Sequence, residues 1–269
     1  MKAIDINNFF ISQANWIDPV NTVDKIIIGN PDKEIKRILV SWMSDIRAVE
    51  QAIHDGYDML MTHEPTFWIH ANELDTMSKW EDGYAKQYAS SRKKELIESS
   101  GLVILRNHDI WDRMPKVGIP WAFADFLGFM NEPIVIGGNG YQHRYDTEPI
   151  TVKELALNIA KKTALIGEPH IQLFGNEDAL VSKVGIGTGC ACSIENFISM
   201  GCDISIVCDD GSCYWSDIQW AIEIDHPVIR VNHATSEEPG MITLAQYIND
   251  NLQGVSAHYL PFDKKMKTI

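Results

Sequence analysis

Short apolar runs recur along this chain, each stopped by glycine, proline or a polar cluster, and several of the stretches between them carry apolar residues three or four apart. A run of four or five apolar residues bounded in this way reads as a buried strand, and the wider spacing as the inward face of a helix. Strands are expected at 24–29, 37–41, 58–62, 102–105, 184–187, 201–207, 228–231 and 255–260. Helices are expected at 2–12, 45–55, 84–99, 193–200, 214–223 and 244–252. In the second of these helices Ile46, Val49, Ala52 and Ile53 share a face, Ser44 or Asp45 can cap the start, and Gly56 can cap the end. Residues 37–62 thus form a strand, helix, strand unit, for which a right-handed parallel crossover is the rule.

Residues 130–180 differ in character. Strands at 133–136 and 141–145 flank the turn-rich Gly137-Gly138-Asn139-Gly140, Thr151-Val152-Lys153-Glu154 fits a capping box opening a helix to Lys162, and 171–174 is a further strand. This stretch reads as a linking subdomain.

The two flanking parts match one another. Gly56-Tyr57-Asp58 and Gly201-Cys202-Asp203 each open an apolar strand. Asn107-His108 with Asp112 and Asn232-His233 with Glu237 each follow a strand as Asn-His-x-x-x-acid. Two matches in one order on the same element types argue for a repeated unit. The expected fold is α/β: two pseudo-repeated α/β units with three-layer α/β/α sheets, residues 1–129 and 181–269, with the smaller subdomain 130–180 linking them. Open α/β folds bind ligands beyond their strand ends, so the chemistry is expected in a cleft between the repeats.

Charge and cysteine content narrow the function. A formal net charge of −14 disfavours nucleic acid and anionic membrane surfaces, which need clustered Lys and Arg. No stretch approaches the roughly 18 apolar residues of a membrane span, and the first residues lack the apolar core of a signal peptide. A cytoplasmic protein is expected. The five cysteines, all between Cys190 and Cys213, make an odd set without a C-x-x-C pair, which favours buried thiols over a thiolate metal site or a disulfide framework.

The strand at 58–62 stops on His63-Glu64-Pro65. A histidine four residues before a carboxylate, as in His108 with Asp112 and His233 with Glu237, puts both side chains on one side of a helical turn and suits one cation. Each pair alone also fits a surface pair or a hydrogen-bonded turn, and Glu237-Glu238-Pro239 also fits a solvated turn. Imidazole with carboxylate suits Zn, Mn or Fe(II) better than Ca or Mg. Pro65 biases Glu64 towards extended geometry, where neighbouring side chains diverge, so His63 and Glu64 are expected on different ions of a pair. His54, His70, His143, His170, His226 and His258 have no such context and are read as structural or surface residues. Trp111 is read as a crevice wall, and Gly185-x-Gly187-x-Gly189 falls short of a phosphate loop.

On these residues Val40 to Pro65, Val103 to Gly128 and Val184 to Leu252 resemble the Nif-three-like family of dinuclear-metal proteins, also known as homologues of GTP cyclohydrolase 1 type 2. The family pattern is a strand ending in His-His-Pro, a later His-x-x-x-Asp and a C-terminal Gly-His-x-x-x-Glu. The resemblance implies a toroidal homohexamer with two divalent metal ions (Zn, Mn or Fe) per chain. The ligands would be His63, Glu64, Asp112, His233 and Glu237, with His108 close by. It further implies a metal-dependent hydrolase acting on a small molecule, a nucleotide or related heterocycle; the ordinary pKa of an imidazole, about 6.5, suits His108 to carrying protons there. The alternative is a non-catalytic metal-binding or interaction scaffold. Glu64 stands where the family commonly has its second histidine and Asn232 where it has glycine. Residues 21–29 fit the family's Asp-x-x-Gly-Leu opening poorly, and Cys208-Asp209-Asp210 replaces a Thr-Gly-acid loop.

Overall fold

The computed structural model describes residues 1–80 and 85–264, and the chain divides into two compact units. The first holds residues 1–114 and 241–262, the second residues 115–240 and the segment from Asp263.

In the first unit α1 (Ala3–Gln13) and β1 (Lys25–Ile28) lead into β2 (Arg37–Ser41), α2 (Ile46–His54) and β3 (Met59–Thr62). The short α3 (Glu73–Met77) and the polar α4 (Ala85–Ser100) follow, then β4 (Val103–Arg106) and α5 (Asp109–Arg113). Tyr84, the expected start of α4, lies outside the described residues. Asp45 caps α2 by accepting from the Ala48 N–H at 2.7 Å, and Gly56, with φ +69°, takes the left-handed turn after it. β2, β3 and β4 pair in parallel, and β1 runs antiparallel to β4. All four residues of β3 and of β4 are buried, as expected of strands covered on both faces.

The second unit begins with α6 (Ile119–Leu127), β5 (Val135–Gly137), β6 (Gln142–Thr151), α7 (Val152–Thr163) and β7 (Gln172–Phe174). It continues through β8 (Leu180–Gly187), α8 (Ile194–Ser199) and β9 (Ile204–Cys208). A π turn at Tyr214–Ile218 then runs into α9 (Gln219–Glu223), and β10 (Val228–Val231) and α10 (His233–Asn251) follow. The six strands run in the order β5-β6-β8-β9-β10-β7, so the strands of residues 130–180 are bonded into this sheet at both of its edges. β8, β9 and β10 are parallel and β7 is antiparallel to β10. The last strand, β11 (Ser256–Tyr259), pairs parallel to β2 and completes the five-stranded order β1-β4-β3-β2-β11.

Both sheets therefore contain an antiparallel strand beside three parallel ones whose spatial order reverses their chain order: β1-β4-β3-β2 and β7-β10-β9-β8. The strand openings agree in detail. Asp58 Oδ2 accepts the N–H groups of Lys36 and Arg37 at 2.9 and 3.0 Å, and Asp203 Oδ2 accepts those of Ser182 and Lys183, both at 3.0 Å.

Four helices depart from the sequence reading: the short α3 and α5, which fall in stretches read as irregular, and α6 and α10. α6 was not expected. Ile119, Pro120, Ala122, Phe123, Ala124 and Leu127 are buried, and so apolar a segment shows no polar face by which a period can be read. Its bounds were nevertheless marked, by Pro120 in the first turn and by Gly128 at φ +108° after the last. α10 starts at His233 instead of near Leu244 and runs through Pro239. Residues 234–241 are all buried, and Gly240 lets the helix lie directly on Ile119: a Cβ there would meet Ile119 Cδ1 at 2.4 Å. Glu238 is paired with the buried Lys264 instead of forming a solvated turn. Burial of this face outweighs the backbone hydrogen bond that Pro239 forgoes.

Candidate metal centre

In the first unit the donors gather where β3 and β4 end. β3 stops at Thr62, and the chain turns at once because the N–H groups of His63 and Glu64 both donate to the Trp42 carbonyl, at 3.0 and 2.8 Å. The expectation that an extended chain separates these two side chains is thereby corrected. Ligand atoms of His63, Glu64 and His108 lie within 4.8 Å of one another. The segment past His63 is pinned by the buried Arg106, whose Nε donates to the His63 carbonyl at 2.9 Å and whose Nη1 donates to that of His70 at 2.6 Å.

His63 is wholly buried, and its Nδ1 faces the Asn107 carbonyl at 3.2 Å. A carbonyl only accepts, so Nδ1 carries the proton, and the lone pair of the neutral ring is on Nε2. That atom stands 3.3 Å from Asp112 Oδ1, on the first turns of α5. A carbonyl holding the distal nitrogen of an imidazole is the usual support of a metal-binding histidine. His108 stacks on His63 with ring centroids 4.3 Å apart and planes 15° from parallel. Its Nδ1 lies 3.0 Å from Asp109 Oδ1 and 3.2 Å from Asp112 Oδ2.

The start of α5 is held by Asp24, just ahead of β1. Its carboxylate accepts from the N–H of His108 and, at 3.2 Å, from that of Ile110. Burial, above all, pushes the Asp24 carboxyl up to about 6. Burial works in the same direction on Asp109, but hydrogen bonds from His108 and Thr22 and the adjacent imidazole outweigh it and hold that carboxyl well below its usual range.

The second unit carries the other expected pair. His233 opens α10, its N–H donating to Asp209 Oδ1 at 2.6 Å, and one turn later Glu237 places Oε1 at 3.0 Å from His233 Nε2. Glu237 is 2 % exposed. Asp210 Oδ2 is 3.4 Å from His233 Nδ1 on the opposite edge of the ring. Ahead of β7, Glu168 accepts the Asn232 N–H with both oxygens, at 3.0 and 3.1 Å, as Asp24 does for α5. Gly189 closes over the pair: a Cβ there would lie 2.5 Å from Glu237 Oε1 and 3.2 Å from His233 Nε2.

His63, Glu64, His108 and Asp112 are thus brought together in the first unit, and His233 and Glu237 in the second. The sequence reading missed Asp24 and Glu168, whose partners lie 84 and 64 residues away. It also set aside His70, although His70, His108 and Asp109 offer ligand atoms within 4.8 Å of one another.

Among the described residues no helix is long and apolar enough to cross a membrane. No curated protein matches the sequence. Solved structures do match in fold. Staphylococcus aureus protein SA1388 aligns with a TM-score of 0.80 at 15% identity, covering 100% of this chain and 99% of its own. HcgD from Methanocaldococcus jannaschii aligns at 0.74 with 20% identity over 97% and 98%. A Bacillus cereus protein related to NIF3 aligns at 0.77 with 13% identity over 100% and 99%. The profile of one family spans residues 24–265, from the capping Asp24 past every donor described above, and the chain belongs to that family, Duf34/NIF3 (NGG1p interacting factor 3).

Proposed function

We propose that this chain binds two divalent metal ions, Zn, Mn or Fe, and is a metal-dependent hydrolase acting on a nucleotide or related heterocycle. The first unit would supply His63, Glu64 and Asp112 as ligands and the second His233 and Glu237. The observation that carries the reading is the support around these donors. Asn107 orients His63, Asp24 and Asp209 hold the turns bearing Asp112 and His233, and a bare glycine stands against Glu237. Such preparation is expected around a ligand, not around incidental polar residues.

The donor set fits the proposed ions. Imidazole with carboxylate and no thiolate suits borderline dications in either unit, and three carboxylates in all leave two dications one charge short of neutral. Bound there, such ions supply Lewis acidity that makes water a nucleophile near neutral pH. His108 is the group placed to move a proton. Asp109 and Asp112 engage Nδ1 and fix the ring, which leaves Nε2 to exchange the proton. The proposed setting is a cytoplasmic homohexamer.

Metal analysis of protein purified without chelators is expected to return two ions per chain, with clear loss in Asp112→Asn and Glu237→Gln. In a panel of nucleotides assayed with Mn, Zn and Fe(II), His108→Gln is expected to keep its metal and lose about 10²- to 10⁴-fold in kcat. Metal well below two per chain would sink the dinuclear reading. Full metal with no turnover of any nucleotide would favour the scaffold reading, which the near-complete burial of His63, Asp112 and Glu237 supports.

A further inference from the structure

Beside the His233–Glu237 pair, on the far side of Gly189, two thiols meet. Cys208 ends β9 and is wholly buried, and its Sγ donates to the Gly189 carbonyl at 3.0 Å. Cys192 is 4 % exposed, and its backbone N–H points at the same carbonyl at 3.5 Å. Both cysteines thus converge on the Gly189 carbonyl, which makes their thiols neighbours. The chain closes tightly around them. A Cβ on Gly211 would stand 2.6 Å from the Gly189 oxygen and 2.7 Å from Cys192 Cβ, and one on Gly187 would stand 3.3 Å from Cys192 Sγ. Cys192 also lines a surface cavity of about 220 Å³ with Ser193, Gly211, Ser216 and Trp220.

We propose that Cys192 and Cys208 are a redox pair that a hydroperoxide converts to a disulfide, and that this modification loosens the His233–Glu237 pair. In the first step the Cys192 sulfur takes one oxygen from the peroxide, giving a sulfenic acid and, from hydrogen peroxide, one water. In the second, the Cys208 sulfur displaces that hydroxyl, the S–S bond forms and a second water leaves. Two thiols and one peroxide thus give one disulfide and two waters. Cys192 takes the first role because it borders the cavity. Cys208 resolves, because it neighbours Cys192 and is sealed off.

The connection to the metal donors runs through Gly189. Two neighbouring thiols must close to about 2.05 Å to form the bond, which takes Cys208 off the Gly189 carbonyl that its Sγ engages at 3.0 Å. Gly189, at φ +56°, lies against Glu237 Oε1 and His233 Nε2 with no room for a side chain between. This second half rests on the metal-binding reading proposed above; the disulfide itself does not.

The test uses the full chain, reduced and then treated with hydrogen peroxide. Denaturing alkylation should count three thiols where the reduced protein shows five. No Lys or Arg lies between Lys183 and Arg230, so trypsin leaves every cysteine on one peptide. Cleavage at Glu195 and ahead of Asp203 and Asp209 instead isolates Cys208 on its own fragment, and in a Cys190→Ser background that fragment should be joined to the one carrying Cys192. Cys192→Ser should retain all of its remaining thiols. Five thiols after treatment, a link between Cys190 and Cys213, or a sulfinic acid at Cys192 with Cys208 untouched would each overturn the pair.

Mn²⁺ affinity, measured by titration on the same samples, should fall about ten-fold on oxidation and return with dithiothreitol, the scale of a lost supporting contact. A disulfide that forms with Mn²⁺ affinity unchanged overturns the coupling. Failure of the reduced protein to bind Mn²⁺ at all is a failure of the metal reading and leaves the thiol count to decide the pair.

Discussion

Gly189 is where a single hydrogen matters most. Its backbone is in the left-handed region at φ +56°, and the space a Cβ would need is filled by Glu237 and His233. Gly189→Ala therefore combines backbone strain of about 1 kcal/mol with displacement of a ligand pair. Gly254 supplies the control, since it lies at φ +78° with nothing within 4 Å of a Cβ. Gly254→Ala is expected to lose about 1 kcal/mol in urea denaturation and Gly189→Ala more than that, but only Gly189→Ala should weaken metal binding, as titration with Mn²⁺ would show. Equal metal affinity in the two would remove Gly189 from the site. Glu64 is the other informative residue, because a carboxylate there makes the set harder than an imidazole would. Glu64→His is expected to raise Zn affinity relative to Mn in competitive loading, and an unchanged or reversed ratio would count against Glu64 as a ligand.

The strand openings test the likeness of the two sheets. Asp58 and Asp203 each tie down two backbone N–H groups with one carboxylate oxygen, at the start of β2 and within β8. Asp58→Ala and Asp203→Ala are each expected to cost about 1–2 kcal/mol in chemical denaturation, and a neutral result at one of them would break the equivalence. These aspartates, and the left-handed Gly56 and Gly201 before them, were legible because the apolar strands around them are short and sharply bounded. The same is true of β2, β3, β4, β9 and β10, whose buried runs admit one reading. Where the signal failed, a physical reason is visible. α6 is too apolar to show a period, and α10 hides its first two turns behind Pro239, whose cost is met by burial against Ile119. The candidate donors were legible through strand ends and the His-x-x-x-acid spacing. Their supports were not: Asp24 and Glu168 act on amides far along the chain, and nothing local marks a carboxylate for that task.

Across the molecule, burial of a basic group in each unit sets the expected pH dependence of stability. In the second unit His143 is wholly buried, its Nδ1 3.1 Å from the Tyr145 hydroxyl, and burial holds its imidazole down to about 4 from an ordinary 6.5. In the first unit Lys93 donates to the carbonyls of Ser44 and Thr66 at 2.9 and 2.5 Å and sits 4.3 Å from the centre of the Trp68 ring. Burial lowers its ammonium to about 8 from 10.5. Both shifts have one sign: over each interval the unfolded chain binds more protons than the native one, so stability increases with pH. For His143 the loss comes as pH falls from 6.5 to about 4. For Lys93 the gain comes as pH rises from about 8 to 10.5. Each interval corresponds to about 3 kcal/mol. The measurement is the difference in unfolding free energy between wild type and variant at a series of pH values, which cancels every group left in place. His143→Phe should gain on wild type by about 3 kcal/mol between pH 6.5 and 4 and hold constant above pH 7. Lys93→Met, which loses two hydrogen bonds at every pH, should fall a further 3 kcal/mol or so behind wild type between pH 8 and 10.5. A flat difference across its interval would show that the group titrates in the folded chain as it does in water, and that its burial is not maintained in solution.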